Sequence, residues 1–257
     1  MLSEFFRCEN YLTELNSLPE KSRKKYEQVY KYFMDWCASK GFDTYTEDVV
    51  FKYFEDLAVT YSSSSMSVYY SMLRSTLIIN NNINIESYNK VRTFLKIKSK
   101  GYKGKKSKLF THEEIDKFIF EAPDEIYLAT KVAMIFGIMG ACRTNELHAI
   151  TTDDVRDFGT AMMVSIPSQS SKVIPRQFTI TGAYYQYCAN YMKMRPDNSV
   201  SKSFFLNYQK GKCTVQNIGI HKIGAMGKEI ARFLNLADPH MYTGYSFRRS
   251  TTFKAIR

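Results

Sequence analysis

Three cationic sites, far apart in the chain, have the residue types and settings to hold a phosphate. The first lies in Phe136-Gly-Ile-Met-Gly-Ala-Cys-Arg143-Thr-Asn-Glu146-Leu147, where an apolar helix (127–139) runs into small residues and an Arg and a Glu three apart open a second helix. Gly140 and Ala141 allow close backbone approach. A helix N-terminus there would aim unpaired N–H groups at the same spot as the Arg143 guanidinium, whose fork matches two phosphate oxygens. The plainer alternative is an ordinary i,i+3 surface pair worth a few tenths of a kcal/mol. The second site is Lys172, at the tip of Ser168-Gln-Ser-Ser-Lys172-Val-Ile-Pro-Arg176; a polar turn residue is its other reading. The third is Thr243-Gly-Tyr245-Ser-Phe-Arg248-Arg249, an Arg pair at a helix start, alternatively a solvated basic turn. Glu146 reads as a buried partner that holds Arg143 in place.

The elements that must position these groups follow from pattern. From the start to about residue 98 the pattern is helical, with apolar residues recurring at spacings of three and four, as in Tyr26, Val29, Tyr30, Phe33 and Met34. Thr46 serves as N-cap for a helix carrying Val49, Val50, Tyr53 and Phe54. Ser62 to Ser65 cap the next, Asn80-Asn-Asn-Ile-Asn ends it, and Ile85 to Ile97 makes a last one. The expectation is a compact all-α domain over residues 1–98. Residues 99–108 then form a basic linker within Lys96 to Lys108, a stretch of seven Lys and no acid. Lys100, Lys103, Lys105 and Lys106 are its candidate DNA contacts, a solubilising connector being the alternative.

Thr111-His-Glu-Glu114 has the form of a capping box and opens a second domain over 109–257. There Ala161–Ile166 and Val173–Ile180 read as an antiparallel hairpin with its turn at 167–172. Helices follow at 183–194, 220–234 and from Tyr245. Asn207-Tyr-Gln-Lys-Gly-Lys-Cys213 reads as a basic surface loop, and the Tyr184, Tyr185, Tyr187, Tyr191 cluster as packing rather than base stacking. The fold class is therefore mainly α with a small antiparallel β hairpin, in two domains.

Composition narrows the partner. The 257 residues carry 36 Lys plus Arg against 25 Asp plus Glu, a formal charge of +11, which points to a polyanion and to nucleic acid before a membrane surface. Five scattered Cys (8, 37, 142, 188, 213) with no C-x-x-C pair argue against disulfides and structural zinc and for a reducing, intracellular compartment. Four scattered His make no metal-ligand spacing, so no metal and no cofactor are expected. Neither a signal peptide nor an apolar run of membrane-spanning length is present, so no membrane partner is expected.

Taken together, Arg143, Lys172 and Arg248 in this order and in these settings resemble the tyrosine recombinase (phage-integrase-like) family, in form nearest to the Crypton-type eukaryotic mobile-element recombinases. The resemblance covers nearly the whole chain and implies a helical SAM-like core-binding domain over residues 1–98, a linker over 99–108 and a tyrosine-recombinase catalytic-like domain over 109–257. The family's first Arg, followed by Glu-Leu, falls on Arg143, its hairpin Lys on Lys172, and the Arg of its His-x-x-Arg box on Arg248. It implies DNA recombination and integration on double-stranded DNA, in the nucleus, by a homo-oligomer. In that chemistry a Tyr hydroxyl attacks a backbone phosphate, two Arg stabilise the charge that builds on its oxygens, the Lys protonates the leaving oxygen, and a His assists proton transfer. Arg249 is a further candidate DNA contact.

The sequence departs from the family pattern in two places. Tyr245 stands where the family has His, and a phenol is a poor proton acceptor near neutral pH. The sequence ends at Arg257, nine residues past Arg248, before the family's second His or Trp and its nucleophilic Tyr. The expectation is a recombinase-like DNA-binding protein with an incomplete C-terminus and an incomplete catalytic set. The alternatives are a fragment of an active enzyme and a domesticated DNA-binding or chromatin-regulatory protein.

Overall fold

The computed structural model describes residues 18–167 and 176–250. Lys172 and most of the expected hairpin turn lie outside the described residues. The chain divides into two compact units, Met1–Gly104 and Lys105–Arg257.

The first unit is helical throughout its described residues: α1 (Glu20–Lys40), α2 (Glu47–Thr60), α3 (Ser63–Asn81), a single 3-10 turn at Ile85–Ser87, and α4 (Asn89–Ser99). Phe33, Val50, Phe54, Leu73, Leu77, Ile85 and Val91 are fully buried. Each contributes on the order of 1.5–3 kcal/mol of apolar transfer. Phe33 meets Tyr53 edge-on at 5.0 Å between ring centroids. The asparagine run ends α3 as composition suggested: Asn82 turns left-handed (φ 54°) with its N–H on the Ile78 carbonyl, and the Asn84 side chain accepts from the Glu86 N–H at 2.9 Å. Thr46 stands at the N-cap of α2 without a side-chain capping bond. The acids behind it reach a different helix: Glu47 accepts from the Lys90 backbone N–H at 2.6 Å and Asp48 from Lys90 Nζ at 2.7 Å, so α2 caps the start of α4.

The second unit is built around α6 (Asp124–Met139), in which every residue from Leu128 to Ile138 is buried. A helix buried on all sides and mainly apolar belongs at the centre of a fold. Before it comes α5 (His112–Glu121), opened by the Thr111/Glu114 capping box, with reciprocal bonds of 3.2 and 2.8 Å. After it come the six-residue α7 (Thr144–Ala149) and a three-stranded antiparallel sheet of β1 (Val155–Asp157), β2 (Ala161–Ile166) and β3 (Arg176–Thr181), in that order. Met162, Val164 and Ile166 of β2 alternate into the core. Next are α8 (Gly182–Lys193), the hairpin β4 (Leu206–Gln209) and β5 (Lys212–Asn217), α9 (Ile220–Phe233) and α10 (Gly244–Arg249).

That second hairpin corrects the reading of residues 207–213 as a surface loop. Lys210 and Gly211 both take positive φ (50° and 74°), the two-residue turn that matches strand twist, while Leu206, Tyr208 and Cys213 are buried. The tyrosines after β3 pack as expected. Tyr185 and Tyr191 are buried, Tyr191 bonds the backbone of Leu206, and Tyr184 donates to Asp116 at 3.1 Å.

Two glycines let α10 approach the rest of the unit. A Cβ on Gly137 of α6 would lie 2.5 Å from the Cβ of Phe247, and one on Gly227 of α9 would lie 2.5 Å from the Thr243 carbonyl oxygen. Across the opening of the unit, Lys108 N–H donates to Met241 O at 2.9 Å and Phe110 N–H to Ser250 Oγ at 3.0 Å. Ser107 and Lys108, read from composition as the end of a connector, are thus bonded into the second unit.

Candidate functional site

The site forms where α6 ends. Gly140 N–H closes the last turn on Phe136 O, and Ala141 then adopts φ 46°, a left-handed conformation that costs an L-residue about 1–2 kcal/mol. That reversal delivers Cys142 to the core and Arg143 to the surface as the residue before α7. The carboxylate of Glu146 curls back onto Arg143, accepting its backbone N–H at 2.7 Å and its guanidinium at 2.8 Å. The expected anion seat at this helix start is therefore taken by the chain's own Glu146.

The pair is more than an i,i+3 surface contact, because two arginines from distant elements reach the same carboxylate. Arg176, the first residue of β3, donates to Glu146 Oε2 at 2.8 Å. Arg248, in the last turn of α10, lies 3.9 Å from that oxygen and donates to the Ala141 carbonyl at 3.0 Å. The Glu146 side chain is only 14% exposed, whereas those of Arg143 and Arg176 are 59% and 41% exposed. Burial, the largest single influence, pushes the Glu146 carboxyl up. The Arg143 N–H and guanidinium together with the Arg176 charge outweigh it and hold the group below the ordinary Glu value. Three guanidiniums against one carboxylate leave a net positive surface. Cys142, buried beneath it, has its thiol pushed up to about 12 by burial and then by the Glu146 charge.

Arg176 is the residue that sequence reading left out of the site. Its position at the base of the hairpin was visible, but its partner stands 30 residues earlier, and no local spacing announces such a pair.

A second basic feature lies beside α10. A cavity of about 620 Å³ is lined by Lys105, Lys106, Ser107, His240, Tyr245 and Arg249 among others. The structure thus brings Lys105, Lys106, Tyr245 and Arg249 together. Tyr245 is half-exposed in the first turn of α10, with its N–H on Thr243 Oγ1 at 3.2 Å. Arg249 bonds the Ser107 carbonyl, and Lys108 pairs with Asp238 at 3.0 Å. Lys100 and Lys103 are exposed in the first unit, beyond the end of α4. Lys131 is a cation of another kind, buried in α6 against Asp124 (2.6 Å) and the Tyr187 ring (4.7 Å).

Among the described residues, no three or more His, Cys, Asp or Glu gather to hold a metal ion, and no helix is long and apolar enough to cross a membrane.

No protein-family model matches the chain, and no curated protein sequence matches it either. Solved structures do. The Tn1549 transposon integrase in complex with transposon right end DNA aligns over 95% of this chain and 84% of its own, with a TM-score of 0.64 at 14% identity. A lambda integrase dimer bound to a core site aligns over 98% and 84%, with a TM-score of 0.59 at 12% identity. The XerH site-specific recombinase in its post-cleavage complex with a palindromic difH substrate aligns over 98% and 77%, with a TM-score of 0.59 at 16% identity. At such identities the likeness is one of fold: a tyrosine-recombinase fold, mostly helical with small antiparallel sheets.

Proposed function

We propose that this chain of tyrosine-recombinase fold binds double-stranded DNA and seats one backbone phosphodiester against Arg143 and Arg248, with Lys172 as a third cation from the segment between β2 and β3. The convergence of Arg143, Arg176 and Arg248 on the single carboxylate of Glu146 carries this reading. Glu146 fixes the guanidiniums in place without neutralising them, and prepaid orientation of donors is what makes an oxyanion site effective. The DNA complexes among the structural neighbours and the net charge of +11 support the choice of DNA as partner. Lys105, Lys106 and Arg249 extend the basic surface from the phosphate seat, and Lys100 and Lys103 add phosphate contacts on the first unit. The lambda integrase dimer supports assembly as a homo-oligomer on DNA. On this reading the protein descends from a Crypton-type mobile-element recombinase and works in the nucleus.

Strand cleavage and rejoining through a phosphotyrosyl bond is the activity that the arginine pair would serve. It also requires a tyrosine hydroxyl in line with the phosphate and a group to pass its proton. Tyr245, standing where the resemblance expects His, favours a second reading: a domesticated protein that keeps the phosphate seat for DNA binding in regulation or chromatin.

Titration of a labelled duplex at several salt concentrations tests the shared premise. The reading requires a clearly negative slope of log affinity against log salt; absence of binding at low salt, or a slope near zero, overturns it. A nicked suicide duplex separates the two readings. A covalent adduct that survives denaturing electrophoresis assigns strand cleavage, and its absence with intact binding assigns the regulatory role.

A further inference from the structure

We propose that the cavity beside α10 receives a single nucleotide turned out of the DNA duplex, an inference that rests on the duplex-binding reading above. The first support is charge. Lys105, Lys106 and Arg249 line the cavity, and none of its lining residues is acidic among the described residues. Asp238, two residues before the lining residue His240, is paired with Lys108 at 3.0 Å.

The second support is size and chemistry. About 620 Å³ falls in the range of small-molecule sites and far exceeds the need of a lone phosphate oxygen cluster. The lining also includes the half-exposed aromatic residue Tyr245, a surface on which a base can stack. An extended basic surface that only tracked the duplex backbone would have no use for an aromatic face inside a concavity.

The third support is a fixed wall. The wall bearing Ser107 is held in place, since Arg249 bonds its carbonyl and the next residue, Lys108, bonds Met241.

Position completes the case. Tyr245 and Arg248 are three residues apart on α10, so their Cβ atoms are neighbours at about 5–6 Å on one helix face. A nucleotide whose base lies on Tyr245 therefore keeps its backbone close to the phosphate seat. Unstacking a base from an intact duplex costs a few kcal/mol, and an already unpaired base escapes that cost, so the cavity should favour DNA with an extra, unpaired nucleotide.

The test compares a fully paired duplex with one of equal length carrying a single bulged 2-aminopurine. The expected result is about tenfold tighter binding of the bulged duplex, with the 2-aminopurine fluorescence quenched on binding as it stacks. Tyr245→Phe keeps both effects. Tyr245→Ala, at an exposed position that folding does not depend on, loses the preference and the quenching, and circular dichroism verifies its fold. Equal affinity for the two duplexes, or a preference that survives Tyr245→Ala, overturns the proposal while leaving duplex binding intact. Failure of the wild-type chain to bind either duplex at low salt overturns the duplex-binding reading, and this inference with it.

Discussion

Arg248 donates from Nη1 to the carbonyl of Ala141, a residue 107 positions earlier whose left-handed backbone turns the chain at the end of α6. One hydrogen bond thereby joins the last described helix to the bend that presents Arg143. The bond explains how two arginines far apart along the second unit come to serve one surface: the carbonyl that orients Arg248 belongs to the same turn that exposes Arg143.

Replacing either arginine by Ala should weaken duplex binding about tenfold or more at low salt, the usual worth of a charge-assisted contact. It should also lower the salt slope by about one for each phosphate contact removed. Fluorescence anisotropy across a salt series measures both quantities. An unchanged slope in Arg143→Ala and Arg248→Ala would place DNA binding elsewhere on the protein.

Glu146 gives a prediction in pH. Its folded-state carboxyl titrates below the ordinary Glu value of about 4.3, so the charged form is favoured by folding. The resulting stability is fully present above that ordinary value and drains away as pH falls through the lower folded one. Glu146→Gln should therefore be less stable than wild type at neutral pH by about 1–3 kcal/mol, and the gap should narrow under strong acid. Urea unfolding at neutral and acidic pH reads the difference, and a gap that stays constant would contradict the assigned charge.

The close seat of α10 predicts a steric penalty. Ala at Gly137 or Gly227 sets a methyl 2.5 Å from the Cβ of Phe247 or the Thr243 carbonyl oxygen. Each change should cost about 1–3 kcal/mol and weaken DNA binding by displacing Arg248. Gly219→Ala is the control, because nothing lies within 4 Å of its added carbon, and it should shift the melting temperature little. Equal melting temperatures for all three variants would refute the packing argument.

Burial and the neighbouring carboxylate push the Cys142 thiol up to about 12, so very little thiolate exists at neutral or mildly alkaline pH. Iodoacetamide should leave Cys142 unmodified in the native protein and alkylate it in urea, as mass spectrometry of peptides would show. Rapid native labelling would mean that the ground beneath Arg143 opens far more readily than its packing implies.

Local signals in the sequence carried much of this architecture. The Thr111/Glu114 capping box, the mainly apolar α6 and the Arg143/Glu146 spacing each depend on residues within a few turns, and each is found where spacing suggested. The β4–β5 hairpin was illegible for two reasons: its turn is Lys-Gly rather than the common Asn-Gly or Asp-Gly, and a register shift between Leu206 and Tyr208 interrupts the pairing. Arg176 escaped notice because its role is defined by Glu146 and the Gly140 carbonyl, groups that only the folded chain brings near. The cavity beside α10 joins residues 105–107 to 240–249, a junction of the same long-range kind.

The bonds from Lys108 to Met241 and from Phe110 to Ser250 set the two ends of the second unit's described span side by side. In topological terms the polypeptide between them is a closed ring pinched at one point. A circular permutant with a short flexible bridge across that pinch and new termini at the Lys210–Gly211 turn would keep the whole arginine cluster, because none of its members lies near the cut.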